Sequence, residues 1–224
     1  MYVEGKRFGK RTSVARPYSL GVDISSAVVH GVGALLAIAA IVLCVVKGVS
    51  DGGGQLLLFA LLYSVTQFLW LVFSVLHHAI QPDGARRVMG ILNHGFSRLF
   101  CAAYVTPFLL LVAPGVVGIG LSVVAWVIAV AGVVTESTWV RCPAWLISAS
   151  VGVPALFLLG FAPALVMGMP APQGVLLMVG GGCCVLGFVM SLLGSKLSAL
   201  HTVSHVLTLA GAIFMFFPFY LVIL

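Results

Sequence analysis

Apolar stretches of roughly twenty residues recur along the whole chain, separated only by short turns of glycine, proline and charged residues. A helix of that length crosses the hydrocarbon core of a bilayer. Inside lipid every backbone group must be satisfied within its own segment, so repeated stretches of this kind dictate a bundle of spanning helices. Charge content points the same way. Of 224 residues, 62% are hydrophobic and 7% charged, against roughly 25% charged in soluble domains. Eleven lysines and arginines with five acidic residues cannot cover a water-exposed globule of this length. The expected fold is an all-α integral membrane protein with seven transmembrane helices and no separate soluble domain.

The spans are predicted near Ile24–Val46, Gln55–Ile80, Gly90–Val112, Val116–Thr135, Ala144–Met167, Gly174–Leu193, and from Leu200 to the C-terminus. Residues 1–23 form a basic arm, and 24–224 the membrane domain. No convincing small-x-small cleavage site follows the first apolar run, so it is read as a retained span. Seven spans place the chain ends on opposite sides. With the N-terminus inside, the inner side carries Lys6, Arg7, Lys10, Arg11, Arg16, Arg86, Arg87, Arg98, Arg141 and Lys196, and the outer side only Lys47. That bias predicts a cytoplasmic N-terminus and an external C-terminus. The arm is read as a membrane-surface element, and nucleic acid is excluded as a partner because no folded nucleic-acid module follows. Glu136 and Arg141 are expected to be solvated loop charges. Gly180, Gly181 and Gly182 predict close helix approach. The five cysteines form no CxxC pair and read as small buried hydrophobes.

In this topology every histidine falls toward the inner side. His78 ends the second span, Asn93 and His94 begin the third, and His201 and His205 begin the seventh. His30 lies about two turns into the first, behind Asp23 and Ser26. His201 and His205 are four apart and share a helix face. With His78 they can supply three imidazoles to one zinc ion, leaving an open fourth position. Ser74, one turn before His78, can hold a water or a substrate carbonyl there. The alternative for each histidine is a hydrogen-bonded packing residue. His77 points elsewhere on the helix and is read as packing. Asp23, Ser26 and His30 form a candidate network orienting the ligands through their second ring nitrogens. His94 is either a further outer group or a spacer.

These spaced motifs together resemble the hemolysin III family, bacterial relatives of the progestin and adipoQ receptors, over almost the whole chain. The family's acidic residue, asparagine and histidine of the first span correspond to Asp23, Ser26 and His30 in "YSLGVDISSAVVHGVG". Its second-span serine and histidine correspond to Ser74 and His78 in "FSVLHHAI". Its Asp-His corresponds to Asn93 and His94 in "LNHGFSRLFCAAYVTPFLL", and a "YTPF" run to Tyr104, Thr106, Pro107 and Phe108. Its terminal histidine pair corresponds to His201 and His205 in "HTVSH".

The resemblance implies a seven-helix protein of the bacterial inner membrane, with zinc held by His78, His201 and His205. It also implies that the third-span residue, here Asn93, positions water at the metal. An asparagine hydrogen-bonds that water but cannot take its proton. Asp23 and Ser26 are likewise shorter than the family's glutamate and asparagine. Three functions follow as expectations. One is a zinc-binding membrane protein acting in pore formation or membrane homeostasis, with membrane lipid as its partner. Another is a ceramidase-like, zinc-dependent hydrolase of lipid amides, weakened by Asn93. The third is a seven-helix receptor or sensor.

Overall fold

The computed structural model describes residues 19–51, 53–113, 115–138, 160–161, 163–194 and 197–224. Six helices among them are long and apolar enough to cross a membrane. They are α1 (Leu20–Ser50), α2 (Gly54–Ala79), α3 (Asp83–Val112), α4 (Val116–Thr138), α5 (Ala171–Leu193) and α6 (Ser198–Pro218). A π-helical turn at Phe219–Ile223 extends α6. The described residues contain no strand, and the chain is an all-α integral membrane protein. Most of the expected span near 144–167 lies outside the described residues, as do residues 1–18 of the basic arm, Arg141 and Lys196, while the last residues of the expected arm, from Leu20, belong to α1. Thus α5 and α6 are the expected sixth and seventh spans.

Two helices begin before their apolar runs do. Ser19 caps α1 by accepting a hydrogen bond from the Val22 amide at 3.4 Å, which carries the helix back through Asp23. Pro82 precedes α3, which starts at Asp83 about two turns ahead of the expected Gly90. Arg86 and Arg87, expected in a loop, therefore sit on helix.

Consecutive helices α1 to α4 pack side by side, α5 pairs with α6, and α6 closes against α1. The central helix is α3. The most apolar window of α3 is 61% buried, against 22% in α4 and 17% in α5. It is also the least apolar span, at mean hydropathy 1.6, so the helix richest in polar groups is the one kept from lipid.

Helix α1 shows how the chain sorts its residues. Its buried stripe is Asp23, Ser26, His30, Gly33, Ala37, Ala40, Cys44 and Gly48, recurring every three or four residues. Ile24, Val28, Leu35, Val42 and Val46 face outward. Lipid tails are as apolar as leucine, so packing favours small residues between helices and leaves large ones in lipid. At Gly33 a Cβ would stand 2.8 Å from Leu209 Cδ1 and 2.9 Å from Leu71 Cδ2, so bare backbone lets α1 approach both α6 and α2. Of the glycine run in α5, Gly180 alone makes a close approach, where a Cβ would lie 3.0 Å from the Gly211 carbonyl of α6; Gly181 and Gly182 face open space. An aromatic core lies deeper. Tyr63 stacks on Phe219 at 4.0 Å between centroids, and the Tyr104 hydroxyl donates to the Met215 carbonyl at 3.1 Å.

Candidate metal centre

The end of the bundle at which α1 begins gathers the histidines. Two antiparallel connections, α1 to α2 and α2 to α3, bring the first turns of α1 and α3 beside the last turn of α2. The contact between α6 and α1 adds the first turns of α6. Ring centroids of His201 and His205 lie 4.5 Å apart, those of His78 and His205 5.1 Å, and those of His78 and His201 5.6 Å. One nitrogen from each of the three lies within 4.8 Å of the other two. These three histidines can hold a metal ion. His78 is 3% exposed, and His201 and His205 are half-buried.

The surrounding hydrogen bonds fix which nitrogen each ring turns inward. His78 Nδ1 meets Asp23 Oδ1 at 3.2 Å. A carboxylate only accepts, so Nδ1 carries the proton and Nε2 presents a lone pair. His205 Nδ1 meets His30 Nε2 at 2.9 Å, leaving His205 Nε2 to face His201 Nε2 at 3.1 Å. Tetrahedral zinc with Zn–N bonds of about 2.0–2.1 Å separates its donors by about 3.3–3.4 Å, so the pair already stands close to that spacing. Carboxylate–histidine and histidine–histidine contacts of this kind orient metal ligands. Donor type, spacing and outer contacts all fit a three-histidine metal site.

Asp23 is 1% exposed, and one further side chain holds it through two bonds. Arg86 Nη1 donates to Oδ2 at 2.8 Å and Nη2 to Oδ1 at 2.6 Å, a bidentate pair. A single carboxylate on α1 thereby joins α2 through His78 and α3 through Arg86. Ser25 and Thr202 hydroxyls, 2.9 Å apart, tie α1 to α6 beside it. The expected network of Asp23 and His30 around the cluster is thus present in geometry. Ser26, the third member, is fully buried but its Oγ has no hydrogen-bond partner. The same holds for Ser74 Oγ, and for Asn93 Oδ1 on α3.

His94 departs from expectation. Its Nδ1 bonds Glu136 Oε1 at 2.7 Å, on the α4 side of α3. Glu136 is not a solvated loop charge. It lies within α4, 8% exposed, and also pairs with Arg98 at 2.7 Å. Arg98, counted above with the charges of the inner side, is completely buried. Arg98 stands four residues after His94 on one face of α3, a spacing that offered both to one partner. An arginine inside an apolar span is itself a signal for a buried acidic partner. His77 behaves as a packing residue: its Nδ1 meets the Arg86 carbonyl at 3.0 Å, and its ring fills the space over Gly90.

With that geometry in place, comparison with known proteins gives a consistent answer. The family model described as Haemolysin-III related matches residues 21–216. Hemolysin-3 of Bacillus cereus is 29% identical over 206 residues, covering 87% of this chain and 89% of that protein. Hemolysin-3 homolog of Bacillus subtilis (strain 168) is 27% identical over 124 residues, covering 55% of this chain and 58% of that one. The family match runs from the first turn of α1 nearly to the end of α6 and takes in every histidine of the cluster, and the chain belongs to the haemolysin-III related family of multi-pass bacterial membrane proteins.

Proposed function

We propose that the protein binds one zinc ion through His78, His201 and His205, and that it works on or within the lipid bilayer as a factor in membrane homeostasis. The observation that carries the zinc reading is the convergence of three ring nitrogens whose opposite sides are held, at His78 by Asp23 and at His205 by His30. Three imidazoles suit zinc among the available divalent ions. The ion would fasten α6 to α2, and its binding energy would add to the stability of the bundle.

Metal content of the purified, detergent-solubilised protein, measured beside His205→Ala, tests this. About one zinc per chain, lost in the variant, is the expected result. No metal under zinc-replete conditions, or stoichiometric zinc retained in the variant, overturns it.

A second reading, hydrolysis of a lipid amide, is favoured by the partnerless buried oxygens of Ser74 and Asn93. Bound zinc supplies Lewis acidity toward a carbonyl and makes water at its open position more acidic. Ser74 offers a hydroxyl that can donate to a substrate carbonyl. Asn93 can orient water but takes up no proton, so the reaction lacks a carboxylate base at that position. Turnover of ceramide-type lipid amides that is equal in the zinc-loaded protein and in His205→Ala would remove this reading.

A further inference from the structure

The formal charges around the histidine cluster do not balance once a divalent ion is bound, an inference that rests on the zinc reading above. His78, His201 and His205 would ligate in their neutral form, so they leave the charge of a divalent ion unbalanced. The chain has five acidic residues: Glu4, Asp23, Asp51, Asp83 and Glu136. Asp23 alone is joined to the cluster, through His78, and the bidentate Arg86 cancels it. Glu136 is held between Arg98 and His94. Asp51 pairs with Lys47 at the far end of α1, and Asp83 is exposed on the first turn of α3. Glu4 belongs to the arm with five lysines and arginines, and residues 139–159 carry no acid at all. Among the described residues, no other carboxylate is joined to the cluster, and these residues leave a bound divalent ion with about two uncompensated positive charges beside groups as buried as Asp23, His30 and His78, which is unfavourable in a low-dielectric setting.

We propose that a compact monoanion of the carboxylate class completes the site at the metal's open position. The structure supplies a donor for it. Ser74 is completely buried, one helical turn before His78, and its Oγ has no partner. That hydroxyl can donate to the anion. Arg86 governs the affinity from outside the cluster: by neutralising Asp23 it keeps the site positive and reserves the ion for an external anion.

Cobalt substituted for zinc in the full-length protein reads this out directly, because its visible absorption changes with the donor at the fourth position. Acetate and azide are titrated, with perchlorate as the weakly coordinating control. A saturable spectral change with acetate and azide, absent with perchlorate, is expected. Arg86→Gln leaves Asp23 charged and should weaken the anion about tenfold, equivalent to about 1.4 kcal/mol of lost attraction. Ser74→Ala removes one donor without changing any charge and should weaken it roughly tenfold. Bound cobalt that is lost in His205→Ala, yet responds to acetate and azide no differently from perchlorate, overturns this inference and leaves the metal site standing. Cobalt that does not bind at all overturns both.

Discussion

Glu136→Gln replaces the carboxylate at the seam of α3 and α4 with an amide of almost the same shape. The carboxylate meets Arg98 Nη1 at 2.7 Å and His94 Nδ1 at 2.7 Å. Arg98 is 0% exposed and Glu136 8%, so the substitution takes the carboxylate charge of Glu136 away from a guanidinium inside the bundle. Removing one partner of a buried pair destabilises by about 3–5 kcal/mol. The His94 side chain is 39% exposed, and its share is screened to no more than about 1 kcal/mol. The expected loss is therefore about 3 kcal/mol or more, nearly all of it from Arg98. Replacing both partners, Glu136→Leu with Arg98→Met, removes the stranded charge together with the pair and should recover most of that loss. Equilibrium unfolding in mixed micelles, followed by circular dichroism, measures both. Metal content should stay at the parent level in each, since Glu136, Arg98 and His94 lie on α3 and α4 and the three candidate ligands on α2 and α6. A Glu136→Gln protein within about 1 kcal/mol of the parent would refute the buried pairing, as would a double variant less stable than the single.

Two further outcomes are expected at the metal centre. Asp23→Asn should lower metal affinity about 10–100-fold in chelator competition, by releasing the His78 ring, while saturating metal still gives one ion per chain; unchanged affinity would mean that packing alone orients His78. Asn93→Asp should retain the ion and raise any hydrolysis of lipid amides, because a carboxylate accepts the proton that an amide cannot; no rise would argue against Asn93 facing the reacting water.

Spans and histidines were legible in the sequence because both depend on local periodicity. The His201–His205 spacing puts two rings on one face whatever the neighbours do, and the antiparallel order of spans brings His78 to the same end. The links of Asp23 to His78 and of His30 to His205 follow from the same order. Arg86 was not legible as part of this site. Whether a cation at a helix end meets water or a carboxylate depends on how α3 docks against α1, and no repeat in the sequence encodes that. Glu136 was misread for the same reason. Its position near the end of an apolar run resembles that of a loop charge, and only the contact of α4 with Arg98 on α3 takes it out of water. The early starts of α1 and α3 have this origin too: paired charges let a helix continue where hydropathy alone ends it.

The ligands of the metal centre come from α2 and α6, and the groups that orient them from α1 and α3. Membrane helices leave the ribosome in order, so the first half of the chain is inserted with His78 aligned by Asp23 and Arg86 well before its two partner ligands exist. Until α6 has been made, His78 and His30 face an interior that lacks His201 and His205. If the site takes zinc as proposed, capture is a late event in biogenesis, and a bound ion would report that α2 and α6 have found one another. A chain stalled or cleaved before residue 201 would insert most of its spans and lack two of the three candidate ligands, so under the proposed zinc reading metal occupancy would measure completed assembly.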